Sequence, residues 1–212
     1  MDTQAYWEQL YESKSPEETS WYQPHLQTSL DWISDAAKDK SASIIDVGGG
    51  ESTLVDDLLG VGYRSLTILD VAGCAIKKSQ GRLGSAAQSV SWLVGDATTV
   101  ALPSCAFDVW HDRAVFHFLT EPAQRAAYVG QLVSALKPEG QVVLATFGPQ
   151  GPEKCSGLDT RRYDKESLQD EMGPDFLLVR SLIVQHHTPF GTTQQFLYCH
   201  FSLDSAQKGS RF

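Results

Sequence analysis

Hydrophobic residues along this chain fall into short runs, and most of the runs end in a glycine or an acidic residue. The runs predict five strands, at residues 44–47, 66–69, 90–94, 107–111 and 141–146. Apolar residues at helical spacing predict helices between them, at residues 52–59, 74–83 and 122–136. Strands that alternate with helices indicate a mostly parallel sheet, whose ligand site lies beyond the carboxyl ends of the strands.

Helical and β-rich segments flank this alternating region. Before it, residues 6–39 indicate two helical pieces with a break at Pro16. After it come a loop with little predicted structure (residues 147–160), a helix within residues 161–171, and β-rich segments at 176–186 and 194–203. We predict an α/β fold with a doubly wound, mostly parallel seven-stranded sheet, Rossmann-like, that ends in an antiparallel β-hairpin.

The chain length predicts one domain, because 212 residues suffice for one well-buried core but not for two full-sized ones. We place this domain at residues 1–204, with an N-terminal helical cap at residues 1–40 and the Rossmann-like core at residues 41–204. Residues 205–212 form a polar tail in this prediction.

The first predicted strand runs into Gly48, Gly49 and Gly50, which allow a tight turn and close approach of the backbone to a ligand. About twenty positions later the second strand ends in Asp70, where a dinucleotide-type fold places an acid against a ribose. A glycine run also occurs in ordinary turns, and an acid here also serves as a helix N-cap. The order of strand, glycine turn, helix, strand and acid favours the nucleotide-like ligand.

Charge and cysteine content narrow the functional classes. A net charge of -9 argues against nucleic acid or an anionic membrane as partner. The sequence has no apolar run of membrane-spanning length and no export signal at its start, so we expect a cytoplasmic location. The four cysteines are too dispersed for a metal site or a disulfide framework, and we predict free thiols and no metal.

Taken together, the motif from Asp46 to Gly50, the acid at Asp70, the sequence Gly95-Asp96-Ala97 and the terminal hairpin resemble the class I S-adenosylmethionine-dependent methyltransferases. The small, single-domain members of type 11/12 are the nearest in pattern. The resemblance implies that S-adenosylmethionine is the cofactor and S-adenosylhomocysteine the product. It also implies a cofactor-binding role for the following residues: Asp46, Gly48, Gly49, Gly50, Asp70 (ribose), Val71 and Ala97 (adenine), Asp96 (adenine amine), Asp112 and Arg113 (methionine group and substrate).

The N-terminal aromatic residues extend this resemblance to small methyltransferases that include protein-lysine methyltransferases. In such relatives an aromatic pair closes over the cofactor, which implies contacts from Trp7 and Tyr11. Those relatives tend to carry Lys-Gly-Thr after strand four, whereas this chain continues from Asp112 to Phe118 without it. This departure argues against a protein-lysine substrate.

A general base is needed if the acceptor is an amine, a hydroxyl or a protonated thiol, and His117 and His111 are the candidate catalytic residues. Each histidine also fits a hydrogen-bonded packing role. Aromatic walls from Trp21, Tyr22, Phe116 and Phe147 would suit a sulfonium that loses its charge on methyl transfer. Cys155 is interpreted as an inert loop thiol, or as a reactive one if Lys154 lowers its pKa.

The predicted function is methyl transfer to an unidentified acceptor, with a small molecule favoured over a protein side chain. Three alternatives stay open: a protein-lysine methyltransferase, a non-catalytic S-adenosylmethionine-binding module, and a nicotinamide-dependent oxidoreductase. The oxidoreductase fits less well. If Gly48 is taken as the first glycine of a Gly-x-Gly-x-x-Gly motif, Thr53 occupies the position of the third glycine. We expect neither nucleic acid nor membrane as a partner.

Overall fold

A computed structural model describes residues 3–204, so the predicted polar tail at residues 205–212 lies outside the described residues. Within this range the α-helices are α1 Thr3–Ser13, α2 Gln27–Ala36, α3 Leu54–Gly60, α4 Gly73–Leu83, α5 Pro122–Ala135 and α6 Lys165–Met172. The strands are β1 Ser43–Val47, β2 Ser65–Asp70, β3 Val90–Val94, β4 Phe107–Arg113, β5 Leu136–Phe147, β6 Lys154–Cys155, β7 Leu158–Asp159, β8 Phe176–His187 and β9 Thr193–Leu203.

Seven of these strands form one sheet in the order β3-β2-β1-β4-β5-β9-β8. The pairs from β3 to β5 are parallel, and β9 runs antiparallel to both β5 and β8. The predicted fold class is confirmed, including the terminal hairpin. Strand order reverses between β1 and β4, which is where a doubly wound sheet binds its ligand.

Side chains on successive positions of the sheet point to opposite faces, and helices cover both. On β4, Val109 packs on one side with the apolar faces of α2 and α3. Trp110, the next residue, packs on the other side with Tyr128 and Leu132 of α5. All four of these side chains are fully buried, so the sheet provides a rigid platform for the loops at its carboxyl edge.

The segment after β5 departs from the prediction of little structure. Residues 154–159 form a small antiparallel hairpin of β6 and β7. Its turn residues, Ser156 (φ 49°) and Gly157 (φ 80°), both take the left-handed conformation that a two-residue type I′ turn requires. The prediction was wrong here because the Ser-Gly dipeptide that makes such a turn lies between strands only two residues long. Helix α6 lies in the predicted segment and ends one residue beyond it; it begins at Lys165, where Asp164 accepts a hydrogen bond from the Ser167 N–H.

The N-terminal helix α1 is held against α4 at its middle and at its C-terminal end. The Glu8 carboxylate accepts hydrogen bonds from the N–H groups of Gly73 (2.7 Å) and Cys74 (3.0 Å), which open α4. At the C-terminal end of α1, the Lys78 ammonium donates to the carbonyl oxygens of Tyr11 and Lys14. Each contact satisfies backbone groups that a helix end leaves free. The negative carboxylate lies at the N-terminus of α4 and the positive ammonium at the C-terminus of α1, which is the favourable arrangement for both helix dipoles.

Candidate functional site

A cleft of about 320 Å³ lies beyond the carboxyl ends of β1, β2 and β4. Its floor comes from the turn after β1, one end comes from the segments after β2 and β3, and α1 and the β6–β7 hairpin contribute its roof. Eight of the predicted cofactor residues line it: Trp7, Tyr11, Gly48, Asp70, Val71, Asp96, Ala97 and Arg113.

The glycine turn brings backbone, rather than side chains, to the cleft floor. Gly48 has φ +71°, and a Cβ there would lie 2.1 Å from the Cγ2 atom of Val115. Its N–H donates to the Leu69 carbonyl oxygen at 2.7 Å, so this donor is already used within the fold. A Cβ on Gly50 would lie 2.6 Å from Oδ2 of Asp70. The turn therefore has the close approach that the sequence predicted, while the Gly48 N–H is occupied.

Asp70 is a buried carboxylate at the cleft edge. Its side chain is 5% exposed, and Oδ1 accepts a hydrogen bond from the Ala72 N–H at 2.8 Å. Burial raises the pKa of this carboxyl to about 7, and hydrogen bonds from the backbone of Ala72 and Gly50 offset part of that rise. A group that donates two hydrogen bonds, such as a ribose, would favour its ionised form.

The segment after β3 lies at the same end of the cleft, next to the segment after β2. Asp96 is exposed, and its Oδ1 accepts from both the N–H (2.8 Å) and the hydroxyl (2.7 Å) of Thr98. Ala97 and the half-buried Val71 lie beside it on the cleft wall. A flat apolar surface next to a fixed carboxylate suits an aromatic base with an amino group.

Aromatic rings surround the remaining part of the cleft. Trp7 lies 5.2 Å from Phe118, 5.9 Å from Trp21 and 6.1 Å from Tyr11, measured between ring centroids. Edge contacts at such distances are favourable for aromatic pairs. Of the predicted walls, Trp21 and Phe147 line the cleft, Tyr22 lines a neighbouring recess, and Phe116 is fully buried.

The sequence did not single out Phe118, Phe196 or Glu8. Phe118 and Phe196 line the cleft, and Glu8 fixes the helix that covers it. Phe196 reaches the site only through the pairing of β9 with β5, which brings it opposite Phe147. No sequence signal gives that register. The acidic Glu8 between two aromatic residues of a helix was visible as a pattern but had no predicted partner.

A recess of about 50 Å³ adjoins the cleft and contains the other predicted acid of the glycine motif. Asp46, Gly49 and His111 line it. His111 Nδ1 lies 2.6 Å from Asp46 Oδ1, and His111 Nε2 lies 2.9 Å from Ser29 Oγ. This order of acid, imidazole and hydroxyl resembles a nucleophile triad. Ser29 is fully buried, however, so the network ties α2 to the sheet instead of presenting a nucleophile.

Asp112 and His117 lie beneath the cleft and do not line it. The Asp112 carboxylate accepts from the N–H groups of Val115 (2.8 Å) and Phe116 (3.1 Å) and from the Tyr128 hydroxyl (2.5 Å). His117 is fully buried, stacks on Phe147 with ring centroids 4.2 Å apart, and accepts from the Phe147 N–H at Nδ1. Burial, with a smaller effect of Arg113, lowers the pKa of His117 to about 3.

Cys155 lies in the roof and is a buried, free thiol. Burial raises the pKa of this thiol, and Lys154 is paired with Asp159 at 2.9 Å. The reactive-thiol interpretation therefore lacks support, because a protonated thiol is a weak nucleophile. The two parts of the roof, α1 and the β6–β7 hairpin, are joined because the Tyr6 hydroxyl donates to the Ser156 carbonyl oxygen.

Two negative findings concern residues 3–204 alone. No helix in this range is both long and apolar enough to cross a bilayer. The same residues bring together no group of three or more side chains that could ligate a metal ion.

Fold and site define an α/β protein with a cleft at the point where the strand order of its sheet reverses. Residues 44–140, from β1 into β5, match the family model described as a methyltransferase domain. The match spans slightly less than half of the chain and identifies this region as similar to a methyltransferase domain.

Among curated proteins, a 108-residue segment is 28% identical to the eEF1A lysine and N-terminal methyltransferase of Mus musculus. The segment is 51% of this chain and only 15% of that relative.

Solved structures agree over almost the whole chain. A protein studied for the conversion of a disulfide bond into a thioacetal group during echinomycin biosynthesis superposes with a TM-score of 0.76 at 17% identity, over 98% of this chain and 96% of that one. The 1,6-didemethyltoxoflavin-N1-methyltransferase of Burkholderia thailandensis, with bound 1,6-didemethyltoxoflavin and S-adenosylhomocysteine, has a TM-score of 0.68 at 15% identity, over 96% of this chain and 84% of that one. At these identities the likeness establishes the fold.

Proposed function

We propose that this protein transfers the methyl group of S-adenosylmethionine to a small molecule. The main support for a small-molecule acceptor is the roof over the cleft. Helix α1 and the β6–β7 hairpin are joined by the hydrogen bond from Tyr6 to Ser156, and both contribute to the lining. A partly covered cleft of about 320 Å³ is at the lower end of small-ligand sites, which favours a small acceptor over a folded protein surface.

The residues of the cleft fit this cofactor. In the proposal Asp70 holds the ribose, Asp96, Ala97 and Val71 hold the adenine, and the glycine turn lies under the methionine portion. The support is a buried carboxylate at one edge and a floor where a Cβ at Gly50 would touch that carboxylate. When bound, S-adenosylmethionine supplies a methyl group activated by a sulfonium. Asp46, Gly49, Gly50 and Asp112 act indirectly in this proposal, by shaping the turn and the loop after β4.

Proximity and exclusion of water are the chain's main contributions to the reaction. Trp7, Tyr11 and Trp21 shield the cleft from solvent on the side of α1. If the acceptor must lose a proton, His111 is the nearer of the two predicted bases, since it lines the recess next to the cleft. Both of its ring nitrogens are engaged, by Asp46 and Ser29, so it would have to leave this network to act as a base. His117 lies deeper, and its Nδ1 already accepts a backbone hydrogen bond, so its catalytic role would require rearrangement.

The test is methyl transfer from S-[methyl-³H]-adenosylmethionine to a panel of amines, phenols, thiols and carboxylic acids, beside thermal unfolding with S-adenosylhomocysteine or NADH. We expect S-adenosylhomocysteine, and not NADH, to raise the melting temperature, because a ligand of the folded state stabilises it. Transfer to a small molecule would support the proposal. Stabilisation by NADH alone would favour the oxidoreductase, and binding without any transfer would favour the non-catalytic module.

A protein-lysine methyltransferase is the second candidate, and the likeness to the mouse relative favours it. The same labelled assay therefore includes elongation factor 1A and a cell lysate as acceptors. Label that enters protein and not the small-molecule panel would reject our choice of acceptor while keeping the methyl-transfer reaction. We expect the opposite, because α1 and the β6–β7 hairpin cover part of the cleft.

Two broader expectations belong to this proposal. We infer that residues 1–204 act as one methyltransferase domain with residues 1–40 as its cap. We also infer a cytoplasmic location, which the free thiols of Cys74, Cys155 and Cys199 support because thiols stay reduced there.

A further inference from the structure

A second cavity, which we call the side pocket, lies next to the cleft between α2, β8 and β9. Its volume is about 90 Å³, and the polar residues around it include Gln27, Thr28, Arg113, His186 and Tyr198. Arg113 and Phe196 line both the side pocket and the cleft, so the two are neighbours separated by these side chains. None of the lining residues is acidic. The pocket therefore combines hydrogen-bond donors with a positive charge.

Arg113 brings that charge to the pocket at the end of β4. Its guanidinium lies over the Phe196 ring, 4.4 Å from the centroid, and Nη1 donates to the Trp21 carbonyl oxygen at 3.1 Å. Among the described residues, no carboxylate lies within ion-pair distance of it. A guanidinium has five donors in a fixed plane that matches a carboxylate or a phosphate. The geometry leaves this recognition capacity largely unused within the chain.

His186 provides a second and independent observation. The side chain is 1% exposed, and Nε2 lies 2.7 Å from the Ser20 carbonyl oxygen. A carbonyl oxygen can only accept, so Nε2 carries the proton and the neutral ring has its lone pair on Nδ1. This buried Nδ1 has no hydrogen-bond partner in the described part of the chain. An unpartnered buried polar atom is costly, and a ligand with a proton to share would satisfy it.

The charged and titratable residues around His186 are consistent with a neutral ring that can accept a proton from a ligand. His25 also lines the pocket, but its Nδ1 lies 2.9 Å from Asp57 and its side chain is mostly exposed. Burial, then the positive charge of Arg113 and, less strongly, that of His187 lower the pKa of His186, while its bond to Ser20 opposes them. An anion beside Arg113 would reduce the repulsion that keeps His186 neutral.

We propose that the side pocket binds an anionic oxygen group of the methyl acceptor, with Arg113 pairing the anion and His186 Nδ1 sharing one proton with it. The proposal rests on the methyl-transfer function proposed above and adds the substrate class, a small acid. The volume suits a single carboxylate or a comparable oxyanion. With its acid group there, the acceptor's reactive atom would lie on the other side of Arg113 and Phe196, within the aromatic cleft.

The experiment is calorimetric titration of the protein saturated with S-adenosylhomocysteine, using sodium acetate and inorganic phosphate as separate probes. The variants are Arg113→Gln and His186→Gln, in which glutamine can still donate to the Ser20 carbonyl oxygen. Arg180→Gln is the matched control, because Arg180 pairs with Asp35 at the surface and does not line the side pocket. The affinity of every variant for S-adenosylhomocysteine and for 5′-methylthioadenosine, which lacks the carboxylate, is measured in parallel, together with its melting temperature.

We expect at least one probe to bind the wild type and the Arg180→Gln variant equally, and to bind Arg113→Gln and His186→Gln at least tenfold more weakly. The tighter probe then distinguishes a carboxylate from a phosphate. No binding by the wild type, or binding that neither substitution weakens, would overturn the proposal. Arg113 would instead be assigned to the cofactor's carboxylate by a different pair of results. Arg113→Gln would then bind S-adenosylhomocysteine more weakly but methylthioadenosine as the wild type does, and His186→Gln would bind the anion probes as the wild type does. Failure of S-adenosylhomocysteine to bind the wild type would reject the proposed function separately.

Discussion

At the scale of single residues, the proposed contact of Asp70 with the ribose would link protonation to cofactor binding. Its carboxyl is buried with a pKa raised to about 7, so a large fraction is neutral at physiological pH in the free protein. Ribose hydroxyls donate hydrogen bonds that favour the ionised form. Binding must therefore release a proton below pH 7, and affinity must fall as the pH falls.

We predict that the Kd for S-adenosylhomocysteine rises up to about tenfold per pH unit below pH 7 and is flat above it. Calorimetry from pH 5.5 to 8.5 measures this. Asp70→Asn should bind about 10- to 100-fold more weakly at pH 8, because hydrogen bonds to a charged group are worth about 1.5–3 kcal/mol, and it should lose the pH dependence. A wild-type Kd that is constant from pH 5.5 to 8.5 would contradict the role of Asp70.

Gly48 offers a steric prediction at the same scale. A Cβ there would lie 2.1 Å from the Val115 side chain, in a backbone conformation with φ +71°. Gly48→Ala should therefore destabilise the fold by about 1–3 kcal/mol and abolish cofactor binding. Adding Val115→Ala should recover part of the stability, since it removes the clash but not the backbone strain. Urea unfolding and calorimetry measure the two effects.

Gly81→Ala is the matched control for this series. Nothing lies within 4 Å of a Cβ at Gly81, which is in the interior of α4. It should stabilise the protein by about 0.5–1 kcal/mol and leave the affinity for S-adenosylhomocysteine unchanged. Equal stability of Gly48→Ala and the wild type would show that the turn is looser than its geometry indicates.

At the scale of elements, helix α1 is a lid attached through Glu8. The Glu8 carboxylate caps α4, while Trp7 and Tyr11 of the same helix line the cleft. We predict that Glu8→Ala costs about 1 kcal/mol, speeds hydrogen exchange across α1 and accelerates dissociation of S-adenosylhomocysteine. Mass spectrometry of exchange and stopped-flow measurements test this. Glu12→Ala, an exposed substitution on α1, is the control and should change neither rate.

Elements were predictable from sequence where the pattern is local. The alternating strands, the glycine turn and the terminal hairpin follow from hydrophobic periodicity and turn residues. The β6–β7 hairpin was missed because its strands are two residues long. Within the site, Asp70 and Asp96 follow strands directly, whereas the positions of Phe196 and His186 depend on pairing across β9 and on contacts with the segment before α2. Long-range register of this kind has no signature in a single sequence.

At the scale of the whole molecule, two sets of buried groups have opposite effects on the pH dependence of stability. Asp70 and Asp112, with pKa values raised to about 7 and about 6, bind more protons in the folded state than in the unfolded state, so their contribution to stability falls as the pH rises from about 4 to those values. His117, His186 and His200 have lowered pKa values. In the unfolded chain these histidines bind protons up to about pH 6.5. Their contribution to the free energy of unfolding therefore rises as the pH rises toward 6.5, in the range where that of the two acids falls.

We predict that this opposition gives the wild type a shallow dependence between pH 4.5 and 6.5 and that single substitutions expose the two slopes. Asp70→Asn removes a contribution that falls with pH, so its free energy of unfolding should increase with pH relative to the wild type, by up to about 1.4 kcal/mol per unit. His117→Gln removes a rising contribution, and its free energy of unfolding should decrease relative to the wild type. Glutamine can still accept from the Phe147 N–H, which keeps that variant folded. Urea unfolding without ligand at four pH values gives both differences. Slopes of the same sign in the two variants would contradict the assignment, because folding raises the pKa of Asp70 and lowers that of His117.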